Sequence, residues 1–156
     1  MLIRRTFDKD LIRAIVTHSS VWDKVSDDGS DKETYEPVVD DHVYWLLVID
    51  GDVLGAYFVH PHNSVCYEIH TCLLPNAYGK KAKESAKSVL SWIFGNTMCM
   101  KVITHVPENN SLALAYAKRS GLQEEGINRA SFLKNGQLMN QTLLGITKEE
   151  FTCQQQ

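Results

Sequence analysis

The sequence predicts an α/β fold in the α+β sense, a mixed and mainly antiparallel central sheet flanked by helices. Three observations predict it. Asp50-Gly51-Asp52 and Asn135-Gly136 each separate runs suited to strands, as hairpin turns do. Ala82, Ala86, Val89, Leu90 and Ile93 recur at helical spacing between two further strand-like runs. The elements also follow one another in an order that lays helices on a sheet rather than on one another.

Residues 3–6 read as a first strand. Residues 8–17 read as a helix with Leu11, Ile12, Ile15 and Val16 on one face and Asp8 as its cap. Residues 21–41 are acidic and turn-rich, with Asp27, Asp28, Asp31 and Glu33 close together, and read as a loop with room for one short helix. Residues 43–49 and 53–60 form the first hairpin, and residues 65–74 a third strand after the turn at Pro61-His62-Asn63-Ser64. A helix over residues 80–94 is expected to stop at Gly95-Asn96. Residues 100–106 make another strand. Asn109-Asn110 then introduce a helix over residues 111–120, which Gly121 closes in the left-handed conformation. Strands over residues 123–133 and 137–146 complete the pattern, and residues 152–156 read as a frayed tail.

A chain of 156 residues with 44% hydrophobic content is long enough for one cored domain, expected over residues 1–156. A net charge of −3 and a pI near 6.0 weigh against a nucleic-acid coat. No apolar run approaches the roughly 20 residues that span a bilayer, so a cytoplasmic location is the expectation. Cys66, Cys72, Cys99 and Cys153 lack the two-residue gap of a zinc knuckle or redox pair and read as reduced, packed thiols. No metal-ligand motif is present and no metal is expected. His60, His62 and His70 would nonetheless approach one another if their strands pair antiparallel.

Residues 67–86 hold the densest information: a strand, a proline-marked turn at Pro75, and a glycine- and lysine-rich start to a helix. Unpaired amides at a helix start, at the positive end of its dipole, suit a phosphorylated ligand. Lys80, Lys81 and Lys83 add positive charge there.

Three stretches then carry a family resemblance. Glu68, Ile69, Leu73, Pro75, Tyr78, Gly79 and Lys80 form the first; Asn110, Lys118 and Gly121 lie in the second; the third is residues 133–151, ending in Glu149-Glu150-Phe151. Together they resemble the GCN5-related N-acetyltransferase superfamily, most nearly its ribosomal-protein N-acetyltransferase branch. The resemblance implies acetyl-coenzyme A as cofactor, held by Leu73, Leu74, Tyr78, Gly79, Lys80, Lys81, Ala82, Lys83 and Asn110. It also implies an amine acceptor, on a protein or a small molecule. Direct attack of an amine on a thioester needs a base and an acid. Glu68 is the first candidate base, His70 on the same strand face the second, and Tyr116 the candidate acid. Counted from Gly121, however, the family's usual tyrosine position falls on Ala117. Counted from Pro75, Lys81 stands at the family's central loop glycine and Lys83 at its following small residue. Their side chains either obstruct the pyrophosphate or attract it. The same loop resembles that of degenerate, catalytically silent members encoded by tailed phages, which implies an alternative role in virion assembly or DNA transfer, in a host cytoplasm or a virion, with a macromolecular partner. The acidic segment 21–41 falls where the superfamily builds its acceptor wall, and would favour a cationic acceptor.

Overall fold

The computed structural model describes residues 1–156. Strand β1 (Leu2–Thr6) leads into α1 (Lys9–Val16), where the Asp8 carboxylate accepts from the Leu11 amide at 3.0 Å, as its capping position requires. The acidic segment holds one short helix, α2 (Trp22–Val25). Strands β2 (Tyr44–Asp50), β3 (Asp52–Pro61) and β4 (Cys66–Leu73) make the expected meander. A 3-10 turn at Pro75–Ala77 then feeds α3 (Lys80–Asn96). Strand β5 (Lys101–Pro107), α4 (Ser111–Arg119), the hairpin β6 (Gln123–Lys134) and β7 (Gln137–Thr147), and α5 (Lys148–Gln154) complete the chain.

The sheet order is β1-β2-β3-β4-β5-β7-β6, antiparallel at every step but β4–β5. This is the mixed, mainly antiparallel sheet read from the sequence. Side chains alternate across a strand, so the unbroken apolar run Trp45-Leu46-Leu47-Val48 feeds two cores at once. Leu46 and Val48 pack with Tyr57, Val59 and Val102 against Val89, Leu90 and Ile93 of α3. Trp45 and Leu47 pack with Ala56 and Cys72 against Ile12, Ile15 and Val16 of α1. Each fully buried aliphatic side chain contributes about 2 kcal/mol. Gly55 sits between these layers at φ +138°, where a Cβ would overlap the Cys72 carbonyl and lie 2.8 Å from the Leu73 Cα.

Two boundaries differ from the sequence reading. Helix α3 runs past the expected end at residue 94, through Gly95 to Asn96, whose side-chain amide donates to the Trp92 carbonyl at 2.8 Å, and Thr97 ends it. Residues 148–154, part of which reads as a frayed tail, form α5. Thr147 and Glu150 make a reciprocal capping box, and Phe151 packs on Phe94 with ring centres 5.5 Å apart. At the far edge β6 is largely exposed, its register broken at Glu124/Gly126 and Asn128/Phe132, with Ala130 at φ 50°. No helix is long and apolar enough to cross a membrane.

Candidate functional site

The sheet opens where its one parallel pair comes apart. Strands β4 and β5 pair only over Cys66–Glu68 against Lys101–Ile103. Beyond that the Thr104 hydroxyl donates to the Ile69 carbonyl at 3.0 Å, and the strands separate. Their parting, covered by α4, forms a cleft of about 660 Å³ that reaches Ile69, Thr71 and Leu73 on one side and Thr104, Val106 and Tyr116 on the other. The β4 edge facing it has no strand partner past Glu68, so peptide groups beyond the Ile69 carbonyl are available to an extended ligand.

One mouth of the cleft is positively charged. Gly79 caps α3 at φ +82° with no side-chain bond to the first-turn amides. A recess of about 380 Å³ beside it is lined by Gly79, Lys80, Ala82, Lys83, Arg119 and Ser120. Lys81 takes no part: its ammonium reaches the Asp50 carboxylate at 3.1 Å, turned towards the β2–β3 corner. The Lys81 side chain thus points away from the recess. Tyr78 lines the cleft, and its hydroxyl accepts from Lys24 at 3.0 Å. Leu73 faces the cleft, whereas Leu74 packs with the α1-side core. Asn110 caps α4, accepting from the Ala113 amide at 3.1 Å, and borders the cleft.

At the point of parting lies one carboxylate among four imidazoles. Glu68 is 8% exposed. It accepts from His62 Nε2 at 2.6 Å and from His105 Nδ1 at 2.8 Å. His60 lies 3.6 Å and His70 3.9 Å from its oxygens. Burial pushes the Glu68 carboxyl up, but the hydrogen bonds from His105 and His62 outweigh it and hold the group below the usual carboxylate range. Burial likewise holds His60 and His70 below the ordinary imidazole value, against the pull of Glu68. His70 and His105 border the cleft and Glu68 does not. A neutral His105 that donates from Nδ1 carries its lone pair on Nε2. The sequence reading missed His105 and Arg119. The alternation of β5 put His105 on one face, but only the register Glu68↔Ile103 brings that face to Glu68.

Tyr116 borders the cleft from α4 with its hydroxyl already engaged. It donates to the Ala82 carbonyl at 2.8 Å and meets the Tyr57 hydroxyl at 2.5 Å; Tyr57 in turn meets Ser85 at 2.8 Å. Burial raises the Tyr116 phenol, so it stays protonated at neutral pH.

The acidic segment walls the cleft through Val21, Val25 and Asp27. Most of its carboxylates are engaged locally, Glu36 with Arg13 at 2.5 Å and Asp40 with the His42 amide at 2.7 Å. Asp28 accepts from the Asn135 and Gly136 amides at 2.9 and 2.8 Å, and Lys134 donates to the Ser26 carbonyl at 2.9 Å, which ties this wall to the β6–β7 turn. The bonds from Gly136 and Asn135 lower the Asp28 carboxyl. A carboxyl lowered on folding stabilises above its unfolded value, and the contribution is lost as pH falls through the lower folded one. Asp28→Asn is expected to remove this component of acid sensitivity, read as a flatter dependence of Tm on pH below about 4.

Comparison with known proteins places the fold. A point mutant of the spermidine N-acetyltransferase SpeG from Vibrio cholerae superposes with a TM-score of 0.80 at 17% identity, over 100% of each chain. The same enzyme in complex with CoA and spermine gives 0.73 at 18% identity over 97% of each chain. A GNAT-family acetyltransferase from Bacillus anthracis gives 0.60 at 17% identity, over 69% of this chain and 67% of that one. Likeness at this identity establishes a shared fold, that of the GNAT acetyltransferases. No curated protein matches. A protein family described as "Protein of unknown function (DUF2824)" matches residues 3–156.

Proposed function

The chain belongs to the DUF2824 family, and from its cleft we propose that it transfers an acetyl group from acetyl-coenzyme A to an amine. The observation that carries this reading is the parted β4–β5 pair, with a basic helix start free of side-chain cap bonds at one mouth and the Glu68 cluster at its base. The pyrophosphate would lie at the first turn of α3, beside Lys80, Lys83 and Arg119. The extended arm would run along the free β4 edge, adding to the sheet as a strand does. Of the residues read from the sequence, Leu73, Tyr78, Gly79, Ala82 and Asn110 would border it; Leu74 and Lys81 support the loop from outside.

The chemistry asks little covalent help of the protein. The amine nitrogen attacks the thioester carbon, the C–S bond breaks, and the amine proton passes to Nε2 of His105. Glu68 orients that ring and offsets the charge it gains. His70 is the second imidazole within reach. Tyr116, held protonated, would give its proton to the departing thiolate on releasing the Ala82 carbonyl. Asp27 in the wall shares the cleft with the cation Lys24 and accepts from Gly29 and Ser30, so the acceptor class is read only as an amine of a protein or small molecule. One structural relative, the spermidine N-acetyltransferase of Vibrio cholerae, was solved with the amine spermine.

The silent alternative, an assembly protein of a tailed phage, rests on the loss of the loop's glycine and small residue at Lys81 and Lys83, of which Lys83 lines the recess. Lys81 turned towards Asp50 weakens that argument. Calorimetry with acetyl-coenzyme A separates the two: binding at about micromolar Kd supports transfer, whereas no heat and no thermal shift would favour the silent role. Lys81→Gly is expected to leave binding within about twofold. Lys83→Ala combined with Arg119→Ala is expected to weaken it about tenfold, with the loss shrinking as salt rises.

A further inference from the structure

We propose that His60, Glu68 and His70 form a binding site for a divalent first-row transition ion of the zinc type. The three side chains come from adjacent antiparallel strands, with His60 directly opposite Glu68 in the register. Their ligating atoms all lie within 4.8 Å of one another. The separations are 3.2 Å between the two Nε2 atoms, 3.6 Å from His60 to Glu68 Oε2 and 3.9 Å from His70 to Glu68 Oε1. Three ligands on one face of a tetrahedral zinc, with bonds of about 2.0–2.1 Å, stand about 3.3 Å apart. The pair of imidazole nitrogens already stands at that spacing, and a turn of the Glu68 carboxylate would bring one oxygen, now within 4.8 Å of both, to close the triangle.

Ligand chemistry and surroundings agree with this. Two imidazoles and one carboxylate suit zinc, cobalt or nickel and are poor hosts for magnesium or calcium. Phe58 stacks on His60 at 5.3 Å and on His70 at 5.8 Å, and is itself backed by Trp45 at 4.7 Å, which limits the freedom of both rings. His62 and His105 bond the carboxylate from outside the triangle, the outer-layer support that metal carboxylates characteristically have. The His60 and His70 side chains are 30% and 42% exposed, which leaves a path for the ion and a fourth position for water. An alternative account, in which the two rings simply share a hydrogen bond, explains their contact but not the convergence of both on Glu68.

The site rests on this geometry and is independent of coenzyme A. The test is titration of the full chain, without coenzyme A, using cobalt(II) as an optical probe and zinc by calorimetry. One equivalent should give the strong visible bands of tetrahedral cobalt, and zinc should displace it. His60→Ala and His70→Ala should each weaken binding at least about tenfold, while His18→Ala, remote from the cluster, leaves it unchanged. Circular dichroism of each variant checks folding, and His70→Asn provides a milder change if His70→Ala fails to fold. Absence of tetrahedral bands at one equivalent, or binding that survives both histidine substitutions, would overturn the site.

Discussion

Glu68→Gln is expected to lower acetyl transfer about a hundred- to ten-thousand-fold, the range for removing a group from acid–base catalysis, while acetyl-coenzyme A still binds. The carboxylate accepts from two imidazoles at once. A glutamine has one acceptor oxygen and turns an N–H towards the second ring, so either His105 or His62 loses its partner. Without the charge of Glu68, the imidazolium formed when His105 takes the amine proton is no longer offset. Thiol release from acetyl-coenzyme A in the presence of an amine measures turnover, and calorimetry measures the retained binding. Unchanged turnover would remove Glu68 from the mechanism and leave His70 as the base to examine. Because Glu68 is held below the usual carboxylate range, it stays ionised through neutrality. The part of the wild-type rate that depends on the Glu68 charge is therefore expected to persist on acidification until pH falls through the lowered carboxyl value.

The largest stability effect is expected at Gly55. Gly55→Ala should destabilise the fold by about 3 kcal/mol or more, read from the midpoint of chemical denaturation. Two costs combine: a side chain at φ +138°, and a Cβ driven into backbone rather than into a movable side chain. The residue pairs with Val48 on one side and Leu73 on the other, next to the register shift between Val48 and Ile49. Any relief must move β4, whose Leu73 borders the cleft. A variant that unfolds at the wild-type midpoint would contradict this close approach.

Local signals were legible and long-range ones were not. The turns at Gly51 and Asn135-Gly136, the Asp8 and Asn110 caps and the Gly121 closure all sit where residue chemistry put them, because each depends on neighbours in the chain. Helix α3 overran Gly95 since a glycine only permits termination, and the Asn96 bond to Trp92 sustains the last turn. Helix α5 was readable in principle from Thr147 and Glu150, spaced as a capping box, but its anchor, Phe94, lies far away in the chain. The approach of His60 to His70 followed from antiparallel pairing. His105 did not, because it reaches Glu68 only through the parallel register of β4 and β5. The direction of Lys81 was likewise hidden, being set by how α3 lies against the β2–β3 corner and Asp50.

The interruptions along β6 bear on how this chain behaves in a crowd. A long, flat outer strand offers a row of free peptide groups to any other extended chain, the first step of edge-to-edge aggregation. Here the two register breaks and the left-handed Ala130 twist that row out of alignment after a few residues. A second strand that began to pair there would lose its match within one turn of the ribbon, so the same irregularity that makes β6 look imperfect keeps its exposed border from becoming a template.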